Sequence, residues 1–351
     1  MIHRVQARLT GEWVWREMGG SCQLAELFVA NGPMETLSKE VRNLAQRVAK
    51  EGAISGQLTG SLHPMLRRVR AGNASVMTFT GTNTYLLGKS DIAIIDPGPD
   101  DSQHLRAILD VVGDQRVHGI FVTHAHIDHA GLAPRLAQIT NTQIYAFARH
   151  QSRRVAPGGL LQSFKGGEGI DKSFMADKYL EDGEIIQGES WCLETIWTPG
   201  HLDDHICLAW KEGNGIFSGD HVMGWSTTFI SPPHGDMTRY MASLHRLKAY
   251  KVARFFPGHG EIVSDPQILL DERIAHRLKR EGQILTLLEE SPKSAQELAF
   301  RIYPAAPAHV IPLGMRNILA HLLDLKDRDQ VQAAEDKNIY ATDWTWSRNE
   351  S

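Results

Sequence analysis

The chain has 351 residues, 42% of them apolar, and its 37 Lys and Arg against 41 Asp and Glu give a formal net charge of -4. That length and composition suit about two globular domains with sizeable cores, and the charge balance offers no overall attraction to nucleic acid or an anionic membrane. The three cysteines, Cys22, Cys192 and Cys207, are odd in number, far apart and free of any C-x-x-C pair, which argues against a disulfide framework or thiolate zinc site and fits a reducing, cytoplasmic setting.

The stretch MIHRVQARLTGEWVWREMGG lacks the continuous apolar run of a signal peptide, and nothing downstream has the length of a membrane-spanning helix. Residues 1 to 33 show no clear periodicity, whereas Leu37, Val41, Leu44 and Val48 recur at helical spacing. Residues 1–70 therefore read as an N-terminal extension, partly helical, with Met34 the expected natural start. From 71 to 270 short β-rich runs alternate with turns and helices: TNTYLL, IAIID, GIFVTH, QIYAF, LETIWT, HICLAW, GIFSGD and RFFPGH. This is sheet-based α/β architecture.

Near Asp271 the character changes. ERIAHRLKREGQILTLLEE, then SAQELAFRIY, whose Ser294 and Glu297 fit a capping box, then PLGMRNILAHLLDLKD read as three helices, and QVQAAEDKNIYAT as a β-like end. Three helices plus a hairpin outline a winged-helix-like domain over 271–345.

The chemistry concentrates in residues 123–131, THAHIDHAG. The preceding GIFV reads as a buried strand and GLAPRLAQI as a helix, so the cluster sits where α/β folds place their sites. His124 and His126, two apart on extended backbone, point the same way, and Asp128 and His129 follow on the turn. Four such groups in six residues would repel one another when protonated and leave polar atoms unpaired when buried, which favours metal binding over an ordinary polar turn. Two adjacent ions would need more ligands. His201 in TPGH, Asp220 in SGD and His259 in PGH each follow a short apolar run, beside Gly200, Gly219 or Gly258, where the backbone can turn tightly.

HAHIDH, TPGH, SGD and PGHG, in this order across about 75 to 260, resemble the motif set of the metallo-β-lactamase superfamily. GTNTYLLG, IDPGPD, TPGHLDDH and IFSGDHVMGW resemble more narrowly its β-lactamase-like protein 2 subfamily, whose C-terminal winged-helix-like domain QILTLL, ELAFRIY and RNILAHLLDL resemble. The resemblance implies an α/β fold, the four-layered αβ/βα sandwich with a metal site at the sheet edges. It implies one zinc held by His124, His126 and His201, a second held by Asp128, His129 and His259, and the Asp220 carboxylate bridging both. Ligand type alone also accommodates manganese or iron. His126 stands where oxygen-reducing diiron relatives carry an acidic residue, so hydrolysis is the expectation, by a metal-bridging hydroxide that Asp128 orients and whose proton it accepts or relays.

Around the ligands, Asp96 in IIDPG fits an acceptor that fixes a ligand imidazole or an ordinary acidic turn residue. His205 and His221 flank ligands and fit packing or support better than catalysis. Asn83 and Tyr85 fit either a substrate-facing or a structural place on their strand. His234 in SPPHGDM departs from the PPDGD of bacterial members of the subfamily, which alters charge near the cleft and unsettles any transferred specificity.

Single-stranded RNA is the substrate that the subfamily resemblance implies. Residues 271 to 351 weigh against it, with 11 Lys and Arg against 13 Asp and Glu, a net of -2, since phosphate binding draws on a basic excess. The alternative is a small ester, thioester or lactone, as in the related glyoxalase II and lactonase branches; a noncatalytic binding module ranks third because every expected ligand type is present. The 38 residues between Asp220 and His259 leave no room for the extra domain of the CASP-type nucleases. A membrane partner is not expected, and a homo-oligomer is compatible with the sequence.

Overall fold

A computed structural model of the chain describes residues 3–9, 12–18, 60–147, 169–306, 310–334 and 344–349. Strands β1 (His3–Leu9) and β2 (Glu12–Met18) pair antiparallel, with Leu9 opposite Glu12. This corrects the expectation of no periodicity: Val5, Ala7 and Leu9 alternate with Arg4, Gln6 and Arg8, a period of two that the charged residues disguise. The expected helix after Met34 and the expected start lie outside the described residues.

In chain order the remaining elements are β3 (Gly60–His63), β4 (Leu66–Arg70), β5 (Asn83–Leu87), β6 (Asp91–Ile95), α1 (Ser102–Val112), β7 (Arg116–Val122), α2 (Ile127–Ala130), α3 (Ala133–Thr140), β8 (Ile144–Phe147) and β9 (Lys178–Leu180). Then come β10 (Ile185–Gln187), β11 (Cys192–Trp197), β12 (Ile206–Trp210), β13 (Gly215–Gly219), α4 (Met237–Ala249), β14 (Arg254–Pro257), α5 (Pro266–Glu290), β15 (Lys293–Ser294), α6 (Ala295–Ile302), α7 (Ile311–Asp327), β16 (Val331–Ala334) and β17 (Thr345–Arg348).

Strands β3 to β9 form one sheet in sequence order, antiparallel up to β6 and parallel from β6 to β9. Strands β10 to β14 form a second, antiparallel except for the parallel pair β13 and β14. The first sheet thus starts before residue 71. Arg67, Arg68 and Arg70 give β4 a charged sequence, yet Arg68 and Arg70 pair with Glu261, and Leu66 and Val69 are fully buried.

Alternation along each strand builds the layers. In the first sheet Leu86, Ile92, Ile94, Ile120 and Val122 pack against α1 and α3, while Tyr85, Leu87, Ala93, Ile95 and Phe121 face the second sheet. From that second sheet Leu193, Leu208, Phe217 and Phe256 complete the middle core, and Ile196, Cys207, Ile216 and Phe255 turn outward onto α4 and α5. Helix, sheet, sheet and helix make the four-layered sandwich of an α/β fold. Both faces of the central strands are buried, which is why they read as short continuous apolar runs. Truncating one of the central aromatics, such as Phe217, to Ala would cost about 3–5 kcal/mol.

The C-terminal module packs Ile284 and Leu288 of α5, Leu298 of α6, Leu319 and Leu322 of α7 and Trp346 of β17 in its own core, with a sheet of order β15-β17-β16. Ser294 and Glu297 form the expected capping box. No module boundary interrupts α5 at residue 271: Leu269, Leu270 and Ile274 belong to the outer core of the second sheet, whereas Ile284 and Leu288 belong to the C-terminal core. Among the described residues no helix is long and apolar enough to cross a membrane.

Candidate metal centre

Buried β7 delivers Thr123 and His124 to the sheet edge, His126 keeps extended backbone at φ -75° and ψ 143°, and the single turn α2 carries Asp128 and His129. The loops after β11, β13 and β14 bring His201, Asp220 and His259 to the same edge. His126 Nδ1 lies 2.9 Å from His124 Nε2 and 3.1 Å from His201 Nε2. His129 Nε2 lies 3.2 Å from His259 Nε2, and an Asp128 oxygen 3.3 Å from the latter. Asp220 stands between these groups, with Oδ1 3.4 Å from both His129 Nε2 and His259 Nε2 and Oδ2 3.9 Å from His201 Nε2. All seven expected side chains meet here, as one set of His124, His126, His201 and Asp220 and another of Asp128, His129 and His259.

Buried contacts aim the rings. His129 Nδ1 donates to Asp96 Oδ2 at 2.8 Å, and the Thr123 hydroxyl donates to the same carboxylate at 2.9 Å while its oxygen accepts from His124 Nδ1 at 2.9 Å. His201 Nδ1 donates to the Phe229 carbonyl at 2.8 Å and His259 Nδ1 to the Gly81 carbonyl at 3.4 Å. Four imidazoles thus spend their N–H groups outward and turn lone pairs inward. Lone pairs so close repel unless a cation lies among them, and Asp220 Oδ1 is buried with no hydrogen-bond partner among the described residues. Imidazole and carboxylate donors of this kind fit a divalent transition metal.

Burial, reinforced by neighbouring imidazoles, holds His124 and His126 below the ordinary histidine value, His126 at about 3. They are neutral, as ligands must be. At His259 burial acts in the same direction, but Asp220 and Asp128 outweigh it and push the imidazole up to about 9, so in the metal-free chain its Nε2 keeps a proton that a bound cation would have to displace. Gly258 has no room for a side chain, since a Cβ would sit 2.6 Å from His129 Cε1 and 2.7 Å from Asp220 Oδ1.

Of the supporting candidates, Asp96 fixes His129. His205 bonds Thr198 Oγ1 through Nδ1 at 2.8 Å and accepts the Asp220 N–H at Nε2 at 3.2 Å. His221 is fully buried against Tyr240, their ring centroids 4.8 Å apart. His234 is half-buried on the 231–235 turn, and the next residue but one, Asp236, donates its N–H to the Gly200 carbonyl beside His201. Of the two places open to Asn83 and Tyr85, the contacts are those of the structural one. Asn83 donates to the Pro257 and Gly260 carbonyls and Tyr85 to that of Pro257, so both brace the loop carrying His259. Asp204 was missed. Burial pushes its carboxyl up to about 7, and it accepts the Ala125 N–H between His124 and His126; the doubled acid in HLDDH was its one signal.

The chain belongs to the metallo-beta-lactamase superfamily, whose family model matches residues 77–259, and it is a hydrolase of that class. The beta-lactamase associated winged helix domain matches residues 294–344. Over 287 residues the chain is 30% identical to a Beta-lactamase-like protein 2 homolog of Drosophila melanogaster, covering 78% of this chain and 92% of that protein. It is 29% identical over 233 residues to an Atrochrysone carboxyl ACP thioesterase of Aspergillus fumigatus, covering 65% of this chain and 66% of that one. A solved metallo-beta-lactamase family protein from Thermus thermophilus shares the fold, with a TM-score of 0.66 at 21% identity over 82% of this chain and all of that one.

Proposed function

We propose that the chain is a dinuclear zinc hydrolase that cleaves a small acyl substrate, a thioester or related ester. The observation that carries the two-metal reading is the Asp220 carboxylate, whose two oxygens face different histidine groups. When bound, a pair of zinc ions supplies an acidified water and Lewis acidity toward a substrate oxygen. Asp128 does the proton work. Its side chain keeps 24% of its surface exposed where the other acid of the site, Asp220, keeps 11%, so its carboxylate can take a proton from the attacking water and hand it to the leaving thiolate or alkoxide. Asp96, Thr123 and the Phe229 carbonyl hold the ligand rings in place for this. Ile127, 52% exposed and between His126 and Asp128 in the sequence, leaves an apolar side chain uncovered next to two of the site's groups, in keeping with an acyl substrate.

The thioesterase named among the relatives and the net acidic C-terminal region both favour an acyl substrate. Single-stranded RNA is the second reading, favoured by the winged-helix module next to the site. Zinc-loaded protein and its Asp128→Asn variant, assayed on acyl-pantetheine thioesters, lactones and single-stranded RNA, decide between them. Acyl hydrolysis lost in the variant is expected; RNA cleavage lost in the variant, with no acyl hydrolysis, would overturn the acyl reading. Elemental analysis of the loaded chain should give close to two zinc ions.

A further inference from the structure

The segment 228–230 lies between the metal ligands and the C-terminal helices. The Phe229 carbonyl takes the His201 Nδ1 hydrogen at 2.8 Å, and the buried Thr228 hydroxyl lies 2.8 Å from the carbonyls of both Asp220 and His221, to which it donates. From the other side, Arg277 of α5 donates to the Thr228 carbonyl and, at 3.3 Å, to Asn317 Oδ1 of α7, which also accepts the Ile230 N–H at 3.1 Å. One helical turn earlier, Arg273 donates to the Met223 and Gly224 carbonyls, just after Asp220. Arg277 is only 3% exposed and its guanidinium sits over the Tyr240 ring, 5.2 Å from the centroid. Such a group has few alternative positions.

We propose that Arg277 and Asn317 are positioning residues for the metal centre, through which helices α5 and α7 fix the orientation of His201 and the backbone at Asp220. Two bonds of the segment reach ligand residues directly, from the Phe229 carbonyl to His201 Nδ1 and from the Thr228 hydroxyl to the Asp220 carbonyl. Loss of the Asn317 acceptor strands the Ile230 N–H and one Arg277 donor, frees the Phe229 carbonyl to move, and lets the His201 ring turn. A buried donor left without a partner costs more than the bond it formed, so the segment shifts rather than tolerates it.

The inference rests on the metal-centre reading, and its test separates the two. Cobalt-loaded full-length protein is challenged with a chelator, and release of each ion is followed by its absorption spectrum. Arg277→Met and Asn317→Ala should release the ion held by His201 about tenfold faster or more, in line with the effect of groups that orient metal ligands, and the second ion, which shares only Asp220 with that path, by a smaller factor. Asn317→Asp, which keeps the acceptor, should stay within about twofold of wild type. Leu298→Ala, a cavity in the C-terminal core away from the segment, should not change release. Wild-type release in both Arg277→Met and Asn317→Ala, or equal acceleration by Leu298→Ala, would overturn the positioning role and leave the metal reading standing. A wild-type chain that takes up no ion would overturn both. Asn317→Ala removes no buried charge and decides the matter if Arg277→Met does not fold.

Discussion

The Asp96 carboxylate and the His129 imidazole, 33 positions apart, meet at 2.8 Å with both side chains buried. The same carboxylate accepts the Thr123 N–H and hydroxyl, so one acid sets a ring in each ligand group. Asp96→Asn keeps the volume but removes the charge and puts an amide N–H against a donor. Zinc affinity in chelator competition should fall about 10–100-fold; an unchanged affinity would show that His129 is oriented without Asp96.

Gly258 allows a second test. With no space between His129 and Asp220 for a methyl group, Gly258→Ala must push one of them aside, at a cost of about 1–3 kcal/mol in urea unfolding of the metal-free chain. Elemental analysis should then find fewer bound ions than in wild type. Two tightly bound ions in this variant would mean that the loop moves freely, contrary to its bracing by Asn83 and Tyr85.

His104 makes part of the stability depend on pH. Burial of this α1 side chain pushes its imidazole down to about 4 from 6.5, opposed by Asp101, while its Nε2 lies 2.8 Å from Thr84 Oγ1. The folded-state value is depressed, so the unfolded chain takes up this proton first as pH falls. The stability is complete above 6.5 and declines from there towards about 4. Between about pH 8 and about pH 5 the wild-type, metal-free chain should lose about 2 kcal/mol that His104→Gln does not lose. Urea unfolding of both proteins at the two pH values measures it, and parallel losses would reject the assignment.

Metal should also stabilise the fold, because the folded chain gathers donors from four separate loops and the unfolded chain does not. Free zinc at about 100 times its dissociation constant should add about 2.7 kcal/mol per site. Chelation should lower the thermal midpoint, and zinc should restore it. A midpoint indifferent to both treatments would leave the seven side chains without a metal to hold.

The sequence made the donors legible because they crowd into one turn or follow short apolar strands, and strand ends are where α/β folds keep their chemistry. The central strands were legible for a related reason, being apolar on both faces. Strand β4 was not, because two of its three arginines are neutralised by Glu261, nearly 200 positions away. Nor was the part played by Arg277, since its acceptor is a main-chain carbonyl and any residue can provide one. Asn83 was ambiguous because a polar residue at a strand end looks the same whether it faces substrate or a neighbouring loop.

Helix α5 contributes to two hydrophobic cores along one unbroken run of 25 residues. Splitting the chain at the change in sequence character would cut through a cylinder of backbone hydrogen bonds and strand apolar side chains on both fragments. The C-terminal module is therefore no detachable cassette, and melting it should propagate into the sandwich as a single transition.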